Sequence, residues 1–210
     1  MKTTTSIKTL AFTIITGTLF VACGGSSNSN SNGYGNDNGY SGSGSNIPYL
    51  RTNHANYSEH GSNSTPAPTK DANAKSINWT ISATTVEGAT KLAEHLAFME
   101  AKLQADQNPR AFDKLFLMEA YMKFNNYYST NVEQSSTNVI VSKNANTSCA
   151  YDVISAHSDA VSGDFFAQGD INNDYSAIAE GILASASCNA ERASIEMYIS
   201  QRQQTRGNNN

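Results

Sequence analysis

The chain has 210 residues, a formal net charge of −4 and three cysteines, enough length for one ordinary domain. Between Ser76 and Gln204 there are 8 Lys and Arg against 15 Asp and Glu, which leaves that stretch near −7. From Asn144 to Glu191 seven acidic residues occur without one Lys or Arg. Such a surface repels phosphate backbones and excludes nucleic-acid binding; a basic protein partner or a cation stays allowed.

Lys2 and Lys8 are the only charges before Asp37, and they precede a thirteen-residue apolar run from Leu10 to Ala22. That run is too short for a ~30 Å hydrocarbon core, which takes about 20 residues, and it reads as a secretory signal. The cut site Leu19-Phe20-Val21-Ala22-Cys23 resembles the lipobox of bacterial lipoproteins, with Phe20 standing where Leu is usual. The resemblance implies cleavage before Cys23, a thioether-linked diacylglycerol on its sulfur, and N-acylation. Two or three chains, at about 0.8 kcal/mol per buried CH₂, anchor a protein almost permanently. Gly24 in place of Asp is similar to lipoproteins sent to the Gram-negative outer membrane, facing periplasm or exterior.

From Gly24 to Asn46, 20 of 23 residues are Gly, Ser or Asn, a composition without the apolar surface needed to offset chain entropy. The expected organisation is a signal over 1–22, an acylated Cys23 with a disordered tether over 23–75, a helical domain over 76–204 and a disordered tail over 205–210. About 50 residues of such tether reach roughly 40 Å on average.

In the domain, Ser76 to Ser82 alternates Ile77, Trp79 and Ile81, a short strand pattern. Thr84 with Glu87 fits a capping box, and Leu92, Leu96, Met99 and Leu103 follow at 4-3-4 spacing, which predicts a helix of about 20 residues. Asn108-Pro109 predicts the next helix start. Its two stripes, Phe112/Leu115/Phe116/Met122 and Leu117/Tyr121/Phe124/Tyr128, predict a central helix packed on both sides and stopping at Asn125-Asn126. Asn138 to Ser142 is a second short strand, a pairing partner for Ser76–Ser82. Ser148 caps a third helix to about Gln168, which Gly163 interrupts or continues. The last helical region starts near Asp174 with Ala179, Leu183, Ala186, Ala190, Ala193 and Met197 at 4-3-4-3-4 spacing; one helix and two are both compatible with it. The expected fold is therefore mainly α: a bundle of about four helices with a short two-stranded β element.

With Cys23 assigned to lipid, Cys149 and Cys188 form an even pair in an exported domain, which predicts a disulfide. It would join the start of the third helix to the last helical region. Asp170, Asn172, Asp174 and Ser176 begin like a calcium loop, but Tyr175 occupies the Gly position and Gly181 the bidentate-Glu position. An Asx-rich turn with Asp174 capping the last helix is the simpler reading. His95 and His157 lie on helical apolar faces without metal spacing, and no cofactor motif is present. Glu119 pairs most simply with Lys123 at i,i+4.

These features favour a non-enzymatic, membrane-anchored factor that binds or assembles with a protein partner. The layout resembles that of pilotins in general outline, with no pilotin motif matched. One alternative is an envelope enzyme around His157, Asp159 and Glu119; another is a structural or surface-coat lipoprotein.

Overall fold

A computed structural model describes residues 44–58, 68–107, 113–169 and 173–207. The signal, Cys23 and the Gly/Ser/Asn-rich stretch as far as Ser43 lie outside them.

Four strands are present among the described residues, β1 (Thr69–Asp71), β2 (Ser76–Ser82), β3 (Tyr128–Ser135) and β4 (Asn138–Ala145), of which β2 and β4 carry a period-two pattern with one face buried. They form one antiparallel sheet in the order β1-β2-β4-β3. The expected pairing of Ser76–Ser82 with Asn138–Ser142 is present, with Ile77 opposite Lys143, Trp79 opposite Val141 and Ile81 opposite Val139. On the other side β3 sets Thr130 opposite Lys143 and Val132 opposite Val141. Directly opposite residues share a face, so Ile77, Lys143 and Thr130 make one row across the sheet and Trp79, Val141 and Val132 the next.

Six α-helices accompany the sheet among the described residues: α1 (Ile47–Asn53), α2 (Val86–Gln104), α3 (Lys114–Phe124), α4 (Ser148–Ala160), α5 (Ser176–Ala184) and α6 (Arg192–Gly207). The expectation of a small four-helix bundle is thus corrected to an α/β fold built on a four-stranded sheet. What concealed the sheet is β3. Asn126, at φ 59°, ends α3 where expected, and Tyr128, assigned from spacing to the helical stripe, instead opens a strand. The β3–β4 hairpin turns through Ser136-Thr137, with Ser136 at φ 55°. That conformation normally selects Gly or Asn, and Ser-Thr announces no turn.

Helices α2 and α4 each start one residue away from expectation. Thr85, not Thr84, caps α2 by accepting from Gly88 N–H at 3.0 Å, and Thr147, not Ser148, caps α4 by accepting from Ala150 N–H at 3.1 Å. Asn108–Phe112 lie outside the described residues, and α3 starts instead at fully buried Asp113. Asp113 Oδ1 accepts from Leu115 and Phe116 N–H at 2.8 and 3.3 Å, while Oδ2 accepts from Tyr175 N–H at 2.9 Å. One carboxylate thereby caps α3 and ties down the approach to α5. Asp113→Ala removes a cap and a distant backbone acceptor together; the expected cost is about 2–3 kcal/mol in urea unfolding. A loss below about 1 kcal/mol would mean the Tyr175 contact contributes nothing.

The ordered unit also begins before the expected boundary at Ser76. In α1, Leu50 is fully buried and Ile47 nearly so, Tyr57 donates to Gly88 O at 2.8 Å, and β1 pairs with β2. At the other end α6 runs beyond residue 204.

The helices cover one sheet face. Helix α2 packs on β3 and β4, α4 on β4 and β2, and α3 stands between α2, α4, α5 and α6, the central position its two stripes predict. Leu115 to Ala120 are buried without interruption. After Ala160 the helix widens into a π-helical turn, Val161–Phe166, at the place where Gly163 was flagged. This turn buries the consecutive residues Phe165 and Phe166, which stack edge-on. The final region is two helices, separated by a short 3₁₀ turn, Ala186–Cys188. The expected small-residue seam does not survive that break: Met197 is 58 % exposed, and Cys188, Ile195 and Ile199 carry the buried face.

Cys149 and Cys188 are bonded, with Cα atoms 4.6 Å apart and both side chains fully buried. The bridge fastens the first turn of α4 to the turn between α5 and α6, inside the core that also holds Leu117, Met118 and Ile195.

Candidate functional site

Lys143 stands on the inward face of β4, in register after Val139 and Val141, and is buried beneath α2 and α3. An ammonium there needs a partner. It is Glu119 of α3, 2 % exposed, whose Oε1 lies 2.7 Å from Lys143 Nζ and accepts from Tyr128 O–H at 3.1 Å. Glu119 Oε2 lies 3.2 Å from His157 Nε2 on α4. The expected Glu119–Lys123 pair is absent; Lys123 pairs with Glu100 of α2 at 2.5 Å. Both lysine ammoniums also lie over the Tyr128 ring, at 5.1 and 5.4 Å from its centroid.

Burial alone would raise the Glu119 pKa, but His157 and Lys143 outweigh it and hold the carboxyl far below the usual range. Burial likewise opposes the charge on Lys143, and Glu119 with Glu100 more than restores it, so the ammonium persists. Tyr128 is pushed well up by burial and then by Glu119, and stays a neutral donor. Two carboxylates, Glu119 and Glu100, thus stand against two ammoniums, with the His157 imidazole beside them.

The cluster forms one wall of a cavity of about 120 Å³. Trp79 and Val141 from the sheet, Leu92 and Leu96 from α2, Phe116 from α3 and Phe165 from the π-helical turn supply apolar walls. Glu119, Lys143, His157 and Thr130 supply the polar one. The alternation of each strand accounts for this division. Trp79, Val141 and Val132 form the apolar row, and one step along the same strands the Ile77, Lys143, Thr130 row brings polarity in. Among the side chains that line the cavity, His157 Nδ1 and Thr130 Oγ1 are buried atoms without a hydrogen-bond partner in the protein, and Glu100 Oε2 has only its ion pair with Lys123. The His157 ring is held edge-on by Phe116, with centroids 4.7 Å apart.

His95 lies on the same cavity, its Nδ1 against the Ser45 carbonyl just before α1. Burial pushes its imidazole down to about 4, against that carbonyl, which favours the charged ring. Between pH 6.5 and about 4 the unfolded chain binds more protons at this position than the folded one, so stability falls as pH falls through that window. For a half-buried ring the loss is on the order of 1–2 kcal/mol. His95→Gln should be less acid-sensitive than wild type when urea midpoints are compared at pH 7 and pH 4.5; parallel losses in the two proteins would refute this assignment.

Of the residues named for an enzymatic site, the structure brings two together. His157 and Glu119 are in contact on the cavity, whereas Asp159 is 59 % exposed and pairs with Lys70. Of the calcium-loop residues, Asp170 and Asn172 lie outside the described residues. Asp174 Oδ1 accepts from Ser176 N–H at 2.9 Å, as an Asx turn leading into α5 does. Among the described residues no group of three or more His, Cys, Asp or Glu is placed to hold a metal. Lys143 was missed because the second strand was ended at Ser142; extending Val139, Val141 by one period points to it. Thr130 had no such signal, since its strand was not recognised.

Comparison with protein-family models, with curated proteins and with solved structures gives no match for this chain. What the fold and the site define is a helix-covered antiparallel sheet with a mainly apolar cavity that has one charged wall.

Proposed function

We propose that this chain is a non-enzymatic binding protein of the cell envelope, anchored by lipid on Cys23, and that it takes up a small molecule in the cavity beneath α2. The observation that carries this reading is the cavity of about 120 Å³ itself, with apolar walls from the sheet, α2, α3 and the π-helical turn and one charged wall around Glu119. Apolar walls with a few convergent polar groups are the usual composition of a ligand site. The lipobox supports the anchor, and Gly24 after Cys23 supports an outer-membrane address.

Two measurements test the two halves. Radiolabelled palmitate should enter the wild-type chain and not Cys23→Ser; equal labelling removes the anchor. Native mass spectrometry of the chain recovered from its own membranes should show a small-molecule adduct. The adduct should disappear in Leu96→Trp, which fills the cavity, and its absence from wild type would count against a retained ligand. A protein partner, suggested by the anchored and tethered layout, would meet a different face, where Phe124 and Met197 are exposed near Tyr198.

A second reading, an envelope enzyme, is favoured by the 3.2 Å His157–Glu119 contact beside the cavity. That geometry suits a general base. The neighbouring Ser158 hydroxyl does not complete a nucleophile pair, because it donates to Ile154 O at 2.7 Å. Turnover of a bound compound that His157→Gln abolishes without loss of binding would establish the enzyme.

A further inference from the structure

We propose that residues 44–53 are a strap over the cavity: hinged at 56–58, this segment lifts off α2 as a unit, and the gap it leaves is the way in. The inference rests on the binding role proposed above and adds how the site is reached.

The strap runs along one stripe of α2. A Cβ at Gly44 would stand 3.2 Å from the Phe98 ring. The Ser45 carbonyl accepts from His95 Nδ1. Asn46 Nδ2 donates to the Lys91 carbonyl at 3.1 Å and to Glu94 Oε2 at 2.9 Å. Lys91, Glu94, His95 and Phe98 follow one another at helical spacing, so these contacts form a single seam. Beyond the seam Ile47 enters the cavity wall, and Leu50 is fully buried in the apolar cluster that holds Trp79, Leu92 and Phe166.

The way this segment is fastened makes it separable. Among the described residues, the backbone hydrogen bonds that join it to another element begin at Asn56, whose carbonyl accepts from Thr84 N–H at 2.9 Å. Ser58 N–H then donates to the Ser82 carbonyl at 2.8 Å, and Tyr57 between them bridges to Ala83. Those bonds fix the hinge. Before it, the fastenings just described each have a side chain on at least one side. Helix α1 has seven residues and no side-chain cap at its start, so it holds little helical stability of its own. Asn46, at φ 47°, is in a left-handed conformation that its two hydrogen bonds to α2 offset. The strands and long helices that supply most of the other walls are held by continuous backbone ladders. Lifting the strap breaks none of them, which makes it the local opening of lowest free energy beside the cavity. Gly44 lies 21 positions after Cys23. In the anchored protein a pull from the membrane end therefore reaches the strap before any other described element.

The test uses the full chain in lipid nanodiscs, with Gly44→Cys and Phe98→Cys to bridge the strap to α2. The Cβ positions lie 3.4 Å apart, close enough for a disulfide. Gly44→Ser with Phe98→Ser is the unbridged control. Hydrogen exchange read by mass spectrometry should show 44–53 exchanging roughly 100-fold faster than α2 and α4 in the control, and about ten-fold more slowly once bridged. Trp79, the only tryptophan, is buried on the cavity. Its reaction with N-bromosuccinimide should be about ten-fold slower in the bridged chain than in the control. If thiol titration shows the bridge unformed, Asn46→Ala decides. That variant should speed both the exchange of 44–53 and the Trp79 reaction by about five- to ten-fold, the value of one hydrogen bond, with α4 exchange unchanged. Exchange of 44–53 in step with α2, or Trp79 reactivity equal with and without the bridge, overturns the strap. Neither readout involves a ligand, so failure here leaves the adduct test of the binding role intact.

Discussion

Glu119→Leu is expected to destabilise the protein by about 3–5 kcal/mol, a fall of roughly 10–15 °C in Tm for a domain of this size. The carboxylate is the shared acceptor of Lys143, Tyr128 and His157. Without it a buried ammonium faces apolar surroundings, and a buried phenol loses its acceptor. The cost comes from what is left behind more than from the pair itself. The double variant Glu119→Leu with Lys143→Met should therefore recover most of the loss, since a buried ion pair replaced by packed apolar side chains is often close to neutral. Thermal unfolding of wild type, both single variants and the double variant forms a complete cycle. Additive losses would show that the two side chains do not depend on each other. The cluster also has its own acid signature. Its carboxyl is held below the ordinary range, so its contribution is complete above about pH 4.5 and is lost as pH falls further. That window lies below the one assigned to His95, and the two are separable in one pH series.

Replacing both cysteines, Cys149→Ala with Cys188→Ala, should cost about 4 kcal/mol and lower Tm by about 10 °C. The bridge closes a loop with a sequence separation of 39, and the chain-entropy account of such a loop gives this magnitude. Both sulfurs are fully buried, so reductant should act on the native protein only through unfolding. Scanning calorimetry with and without reductant checks both points. Reductant should lower Tm for wild type and leave the double variant unchanged. If the double variant melts within a degree or two of wild type, the core around Leu117, Met118 and Ile195 holds the α4 start without help.

The bridge and the ion cluster divide the molecule's determinants clearly. The bridge was readable because the choice was small: with one cysteine assigned to the lipobox, two remained. The cluster was not readable, because Glu119, Lys143 and His157 come from three elements and are separated by 24 and 14 further positions along the chain. Nearest-neighbour reasoning preferred Lys123 for Glu119, four residues away on the same helix. In the fold, Lys123 turns to Glu100 on α2, and Glu119 faces the sheet.

The helices show the same boundary from another side. Their spacing located α2, α4 and the end of α3 to within a residue or two, because each buries a stripe that repeats with the helical period, whereas α3 is capped at Asp113 and not at the expected Asn108. The last region was legible only in part: alanines at helical spacing continue through Ala186–Cys188, where the backbone tightens and restarts. Local sequence by itself determined the disulfide, the central place of α3 and the pairing of β2 with β4. These depend on patterns within one segment or on a forced choice. Tertiary structure alone decided the four-stranded sheet, through a hairpin whose Ser-Thr turn carries no signal and whose β3 is polar along its exposed edge. It also decided the cavity, since a cavity is the space left between elements after each has buried its own face.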